Sequence, residues 1–285
     1  MPRREISLRR QLTDHFFTGL AATLSLVVVS TLIAIFAYLV LKGAGALNWS
    51  FITQTPKPVG EVGGGMANAL IGSVMILGIA CIFGVPLGIG AGVYLAEYGR
   101  NRLGKLIRFT SDVVNGVPSI VIGLVAYGLV VIPQGHFSAF AGGVALAIMM
   151  VPTVARTTEQ MLLLVPHAVR EAAFGLGIPQ WRTTISITLA TARAGIITGV
   201  MLAFARVAGE TAPLMFTAFG NQFWSFNAQQ PIAALPLQIF TYAITPYEDW
   251  HRQAWAGALM LVILIVGTTT LVRFVFMRRM LGGAR

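Results

Sequence analysis

Six segments of this chain run for about twenty residues or more with few charges, over residues 16–41, 69–96, 112–132, 137–155, 191–219 and 254–277. A helix rises about 1.5 Å per residue, so each segment is long enough to cross a hydrocarbon core of about 30 Å. Inside that core the backbone cannot bond to water, and helices satisfy their own amides. The pattern therefore predicts an all-α, polytopic membrane protein with six transmembrane helices. Only 11% of the 285 residues are charged and 56% are hydrophobic, whereas a soluble domain carries about 25% charge. Too little polar surface is present to clothe a soluble enzyme. Pro86 and Pro118 fall inside predicted spans, where packed neighbours can take up the freed backbone groups.

The 20 Lys and Arg outnumber the 10 Asp and Glu, and their placement gives the orientation. Sixteen of the twenty lie in the N-terminal segment, the second-to-third and fourth-to-fifth connections, and the C-terminal end. Positive loops stay cytoplasmic, so both termini, including an N-terminal segment of residues 1–15, are expected in the cytoplasm. A permease domain would fill residues 16–285. The surplus charge reads as topology and lipid contact, and no nucleic-acid partner is expected. The apolar run of the first span exceeds the 7 to 15 residues of a signal core, so it is expected to be a retained anchor despite the small-residue stretch Ala44-Gly45-Ala46.

On the opposite side, residues 42–65 carry Pro56, Pro58 and Gly63-Gly64-Gly65 and read as a loop, either a flexible connector or part of an outer gate. Residues 220–253 contain Phe223, Trp224 and Trp250, which suit an interfacial aromatic belt, and Pro231 to Ile244 is apolar but too short to cross. A short helix lying at the outer face is expected there.

The connection over 156–190 is too polar to cross and too patterned for a plain linker. Pro166 suits the first position of a helix and Gly177 the left-handed position just beyond its end. Pro179 then opens a second short helix, with Trp181, Ile185 and Leu189 along one face. A docking knob and a packed structural loop both fit this pattern. In addition, Glu171-Ala172-Ala173, Gly177, Ile187 and Leu189 resemble the EAA loop of ABC-importer permeases, written EAA-x3-G-x9-I-x-L-P. Ala190 stands where the pattern has proline, which bears on where the second helix stops.

That resemblance implies a MetI-like permease fold in which Glu171, Ala172, Ala173 and Gly177 couple the membrane domain to a cytoplasmic ATPase. A narrower likeness lies in Ala205-Arg206-Val207-Ala208-Gly209-Glu210-Thr211-Ala212-Pro213-Leu214 and Asn221-Gln222-Phe223-Trp224, which resemble the A-type permease subunits of phosphate importers; the sister permease subunit of the same systems is the alternative. The implied partners are a dimer of the ABC ATPase, a second permease subunit and an extracytoplasmic phosphate-binding protein. The resemblance implies no cofactor on this chain, with ATP and magnesium held by the ATPase. An ion-gradient-driven secondary transporter of an anion is the competing class.

Arg206 is expected near the middle of the fifth predicted span, where an unpaired charge costs about 2.5–3.5 kcal/mol or more. Glu210 follows four residues later. The two can form a mutual ion pair, or Arg206 can offer its five donors to phosphate while Glu210 steadies it. Asp112 suits a helix cap, and Glu97 suits solvent or a pair with Arg100 or Arg102. Asn115 suits a polar path or an interhelical hydrogen bond. Gly84, Gly88 and Gly92 repeat at the spacing of close helix packing. Gly99 to Lys105 imitates the opening of a phosphate-binding loop, but Leu106 replaces its Ser/Thr and no strand precedes it. No catalytic constellation and no metal-ligand spacing appears among His15, His136, His167, His251 and Cys81.

Overall fold

A computed structural model describes residues 8–61 and 63–282. Arg3, Arg4 and Arg285, which entered the orientation argument, lie outside the described residues, as do the side chains of Arg278 and Arg279. Five helices are long and apolar enough to span a membrane: α1 (Leu8–Gly43), α3 (Ala67–Glu97), α6 (Ala139–Leu163), α8 (Gln180–Ala208) and α11 (Glu248–Gly282). A sixth span exists if the bent pair α4 (Arg102–Gly116) and α5 (Ser119–Gln134) counts as one. Shorter helices are α2 (Trp49–Thr53), α7 (His167–Gly175), α9 (Ala212–Met215) and α10 (Leu235–Ala243). The described residues contain no strand, only one isolated bridge between Phe219 and Ile232.

Three expected spans need correction. The segment 112–132 is not straight, because α4 and α5 meet at 110°. Val117 precedes Pro118 and is extended at φ −73°, ψ 136°, the conformation that steric conflict with a following proline favours. Pro86 and Pro152, by contrast, sit inside unbroken helices. The helix beginning near 137 continues to Leu163, so Arg156 belongs to α6 and not to a loop. The segment 191–219 stops being helical at Ala208, followed by Gly209 and the single turn of α9.

The core lies between α3, α6 and α8. Gly84, Gly88 and Gly92 face Met150, Val154 and Thr158 of α6, one turn apart, so the two backbones approach as small residues allow. Ile76, Ala80, Leu146, Ile196, Ala203 and Phe204 fill the remainder. A second cluster gathers Phe51, Met66, Leu235, Tyr242 and Ala254. Part of residues 42–65 is packed: Asn48 Oδ1 caps α2, and the Met66 amide donates to the Phe51 carbonyl. A short helix is present within 231–244 as α10. α1 stands apart, apolar and exposed over most of its length, and touches the body where Tyr38 meets Trp255 edge-on and Gly43 packs on Leu259.

Candidate functional site

The connection after α6 folds as its prolines and glycine dictate. Pro166 stands at the cap of α7, one position before the first helical residue at which it was expected. Gly177 takes φ 73°; its amide donates to Phe174 and that of Ile178 to Ala173, the paired closure of a Schellman motif. Glu171 and Ala172 face solvent while Ala173 is buried, so α7 seats one face and presents the other. Phe174, Leu176, Trp181 and Ile185 are all exposed large apolar side chains around it.

After Pro179 there is no separate second helix. The chain is helical from Gln180 to Ala208 as α8, with a π-helical turn at Thr184–Thr188 where the Leu189 amide reaches back to Thr184. Ala190 therefore lies inside a continuous helix, and the missing motif proline marks no stop.

Below α7, charged side chains converge on the C-terminal end of α3. Arg170 of α7 reaches Glu97, the last residue of α3, at 3.1 Å, with both side chains largely buried. It also donates to the Leu162 carbonyl at 2.8 Å. Glu97 is thus paired with neither Arg100 nor Arg102. From the other side Arg108 of α4 donates to the Leu95 and Gly99 carbonyls at 2.9 and 2.8 Å. Cations at a helix C-terminus meet the negative end of its dipole. Arg108 also meets Glu159 at 2.6 Å, and Glu159 accepts from Arg156 at 2.8 Å. Arg156 in turn meets Asp112 at 3.1 Å. Asp112 lies well inside α4 and pairs with Arg156, while Asn101 caps that helix by accepting from the Gly104 amide at 2.8 Å.

The stretch that imitates a phosphate-binding loop is thereby a capped turn, and Gly104 is needed because a Cβ there would collide with the Gly99 carbonyl. Glu159 escaped the sequence reading, which ended the span at Ala155. The signal was the spacing of Arg156 and Glu159, three apart on a helix.

Arg206 lies in the last turn of α8, not near its middle, and Glu210 lies beyond the break at Gly209. The broken helix separates them into different local conformations, and no ion pair joins them among the described residues. Arg206 is exposed and Glu210 half-buried. A guanidinium in the final turn is favoured by the helix dipole. Asn115 accepts a hydrogen bond from Thr153 of α6 at 3.1 Å, the interhelical alternative. Helix α7, with Glu171 to Ala173 and the Gly177 turn, and the Arg206 region are thus at different parts of the bundle, connected through α8.

The family model described as "Binding-protein-dependent transport system inner membrane component" matches residues 84–280. The chain is 47% identical to a phosphate transport system permease protein PstA of Yersinia pestis, covering 84% of this chain and 82% of that one. It is 47% identical to the protein of that name from Haemophilus influenzae, covering 85% and 86%. Against the PstA 1 of Mycobacterium tuberculosis strain H37Rv the identity is 35% over 97% of this chain and 92% of that one. Among solved structures, an inward-facing MetNI methionine ABC transporter chain superposes with TM-score 0.57 at 17% identity, covering 75% and 94% of the two chains. A chain of an amino acid ABC transporter gives 0.53 at 20% identity, with the same coverage. The similarity to these two solved chains is one of fold.

Proposed function

This chain belongs to the family of binding-protein-dependent transport system inner membrane components, and we propose from that premise that it is the permease subunit of an ATP-driven importer that brings inorganic phosphate into the cytoplasm. What carries the reading is the near-half identity, over more than four-fifths of both chains, to proteins named as phosphate transport permeases. The multi-pass helical architecture of an inner-membrane protein agrees with it. Relatives of the A-type name favour that subunit over its sister.

In this reading the chain performs no chemistry. A separate ABC ATPase, as a dimer holding ATP and magnesium, docks on α7 through Glu171, Ala172 and the apolar rim of Phe174, Leu176 and Trp181, with Ala173 and Gly177 setting the helix and its exit. Exposed aromatic and aliphatic anchors are what a protein partner buries. A second permease subunit covers the apolar length of α1, and an extracytoplasmic phosphate-binding protein delivers substrate at the face of α10. Both termini lie in the cytoplasm. Arg206 offers guanidinium donors to the passing anion, which it can hold bidentately, and Glu210 keeps that hold weak enough for release.

The test is uptake of radiolabelled phosphate by proteoliposomes holding the two permease subunits and the ATPase, with binding protein outside. Uptake should require ATP and the ATPase. Uptake by this chain alone, driven by a proton or sodium gradient, would overturn the reading in favour of a secondary transporter. Arg206→Gln should abolish uptake while the complex still assembles; undiminished uptake removes Arg206 from the path.

A further inference from the structure

α7 is tied to its chain neighbours by short connections, one of which turns at Gly177, where a Cβ would meet nothing within 4 Å. α7 is held to the bundle by the buried Ala173, by the Arg170 bond to the Leu162 carbonyl of α6 and by the Glu97–Arg170 pair, the only ion pair among the described residues that joins it to a different helix. Glu97 ends α3, where a buried carboxylate faces the negative end of the helix dipole and gains most from a cation. The pair is close without being fully bonded. Glu97 Oε1 and Arg170 Nε are buried and neither has a hydrogen-bond partner among the described residues.

The far end of α3 holds the outer segments. Asn68 Nδ2 donates to the Asn221 carbonyl at 2.7 Å, and Ser73 Oγ accepts from the Leu235 amide at 2.7 Å. Asn221 and Leu235 bracket the stretch between α9 and α10. Between the two ends α3 is an unbroken helix of 31 residues, keyed into α6 by Gly84, Gly88 and Gly92. Close packing of that kind moves as a unit and does not bend progressively.

We propose that α3 is a transmission rod: Arg170, acting through Glu97, is the positioning residue that passes movement of α7 into α3, and the Asn68 and Ser73 hydrogen bonds deliver it to the outer segment over 221–235. The inference rests on the reading above that a separate ATPase moves α7, and it adds where that motion enters the bundle and where it emerges.

The test uses the full assembly in proteoliposomes and reads phosphate uptake, ATP hydrolysis and labelling together. For labelling, exposed Gln222 is replaced (Gln222→Cys) in a Cys81→Ser background and treated with a membrane-impermeant maleimide. In the parent assembly ATP should change the labelling rate. Arg170→Gln and Glu97→Gln should each lower phosphate moved per ATP hydrolysed by about ten-fold, the size of a typical coupling. Both should abolish the ATP-dependent change in labelling, while the ATPase still co-purifies at the parent ratio. Arg170→Lys, which keeps the charge, should restore most of both signals. An unchanged transport ratio and an unchanged labelling response in Arg170→Gln would overturn the rod, as would loss of the ATPase from both neutral variants. If the parent assembly moved no phosphate yet its labelling still followed ATP through Arg170, the substrate assignment would fail and the rod would stand.

Discussion

Arg108 and Glu159, 51 residues apart in sequence, meet at 2.6 Å where α4 crosses α6, and the same guanidinium closes the end of α3 through the Leu95 and Gly99 carbonyls. One side chain therefore fixes three helices at a common point. Glu159 is the anion shared by Arg108 and Arg156 and its side chain is only 4% exposed. Asp112, at the outer edge of the same group, is 57% exposed.

That difference orders two substitutions. Glu159→Gln removes the buried anion and leaves Arg108 without its carboxylate, so it should destabilise by about 3–5 kcal/mol. Asp112→Asn touches a solvent-screened pair and should cost less than about 1 kcal/mol. Thermal unfolding of the purified chain in detergent checks the order, and equal losses would show that burial is not what gives Glu159 its weight.

The α3–α6 contact depends on particular glycines. A Cβ at Gly92 would come within 2.5 Å of Thr158 Cβ and 2.6 Å of the Ala155 carbonyl, whereas one at Gly90 would meet nothing within 4 Å. Gly92→Ala should destabilise by about 1–3 kcal/mol, as overpacking does. Gly90→Ala should be silent in the same unfolding measurement.

Gly177 is required for its backbone and not for space. Its φ of 73° disfavours any residue with a side chain, by about 1–2 kcal/mol. Gly177→Ala should therefore weaken recovery of the ATPase in a pull-down, and Gly177→Asn should weaken it less, because asparagine tolerates that conformation. Gly175→Ala, also free of contacts but without positive φ, should leave recovery unchanged.

The apolar rim of α7 should matter for partnership alone. Leu176 is 80% exposed and Trp181 62%, so little internal packing is lost when either is changed. Trp181→Ser and Leu176→Ser should leave the unfolding temperature within error. The tryptophan change should lower ATPase affinity by at least about 30-fold if it is an anchor of the interface. Titration of the ATPase against the permease pair in detergent measures this, and wild-type affinity in both variants would move the docking site elsewhere.

Much of the architecture was legible in the chain because bilayer crossing imposes length and hydropathy that a sequence displays directly. Helix α7 was legible for a similar reason: Pro166 and Gly177 fix local backbone geometry without help from distant residues. The bend at Val117–Pro118 was not legible because proline sits inside the unbroken α3 and α6 but divides α4 from α5, and the local sequence does not separate the two cases. Arg206 and Glu210 looked like partners by spacing four on one helix, but α8 ends between them at Ala208, and the spacing argument lapses where the helix does.

By itself the sequence determined that this is a multi-helix membrane protein with a patterned connection matching the EAA loop, since hydropathy, proline and glycine act on their immediate neighbours. Only the tertiary structure decided which charges pair. Glu97 took Arg170 and not Arg100 or Arg102, Asp112 took Arg156, and Glu159 gathered Arg108 and Arg156. A buried charge must be matched by whatever cation the folded bundle brings within reach, and that reach is set by helix packing across distances in sequence that no local pattern records.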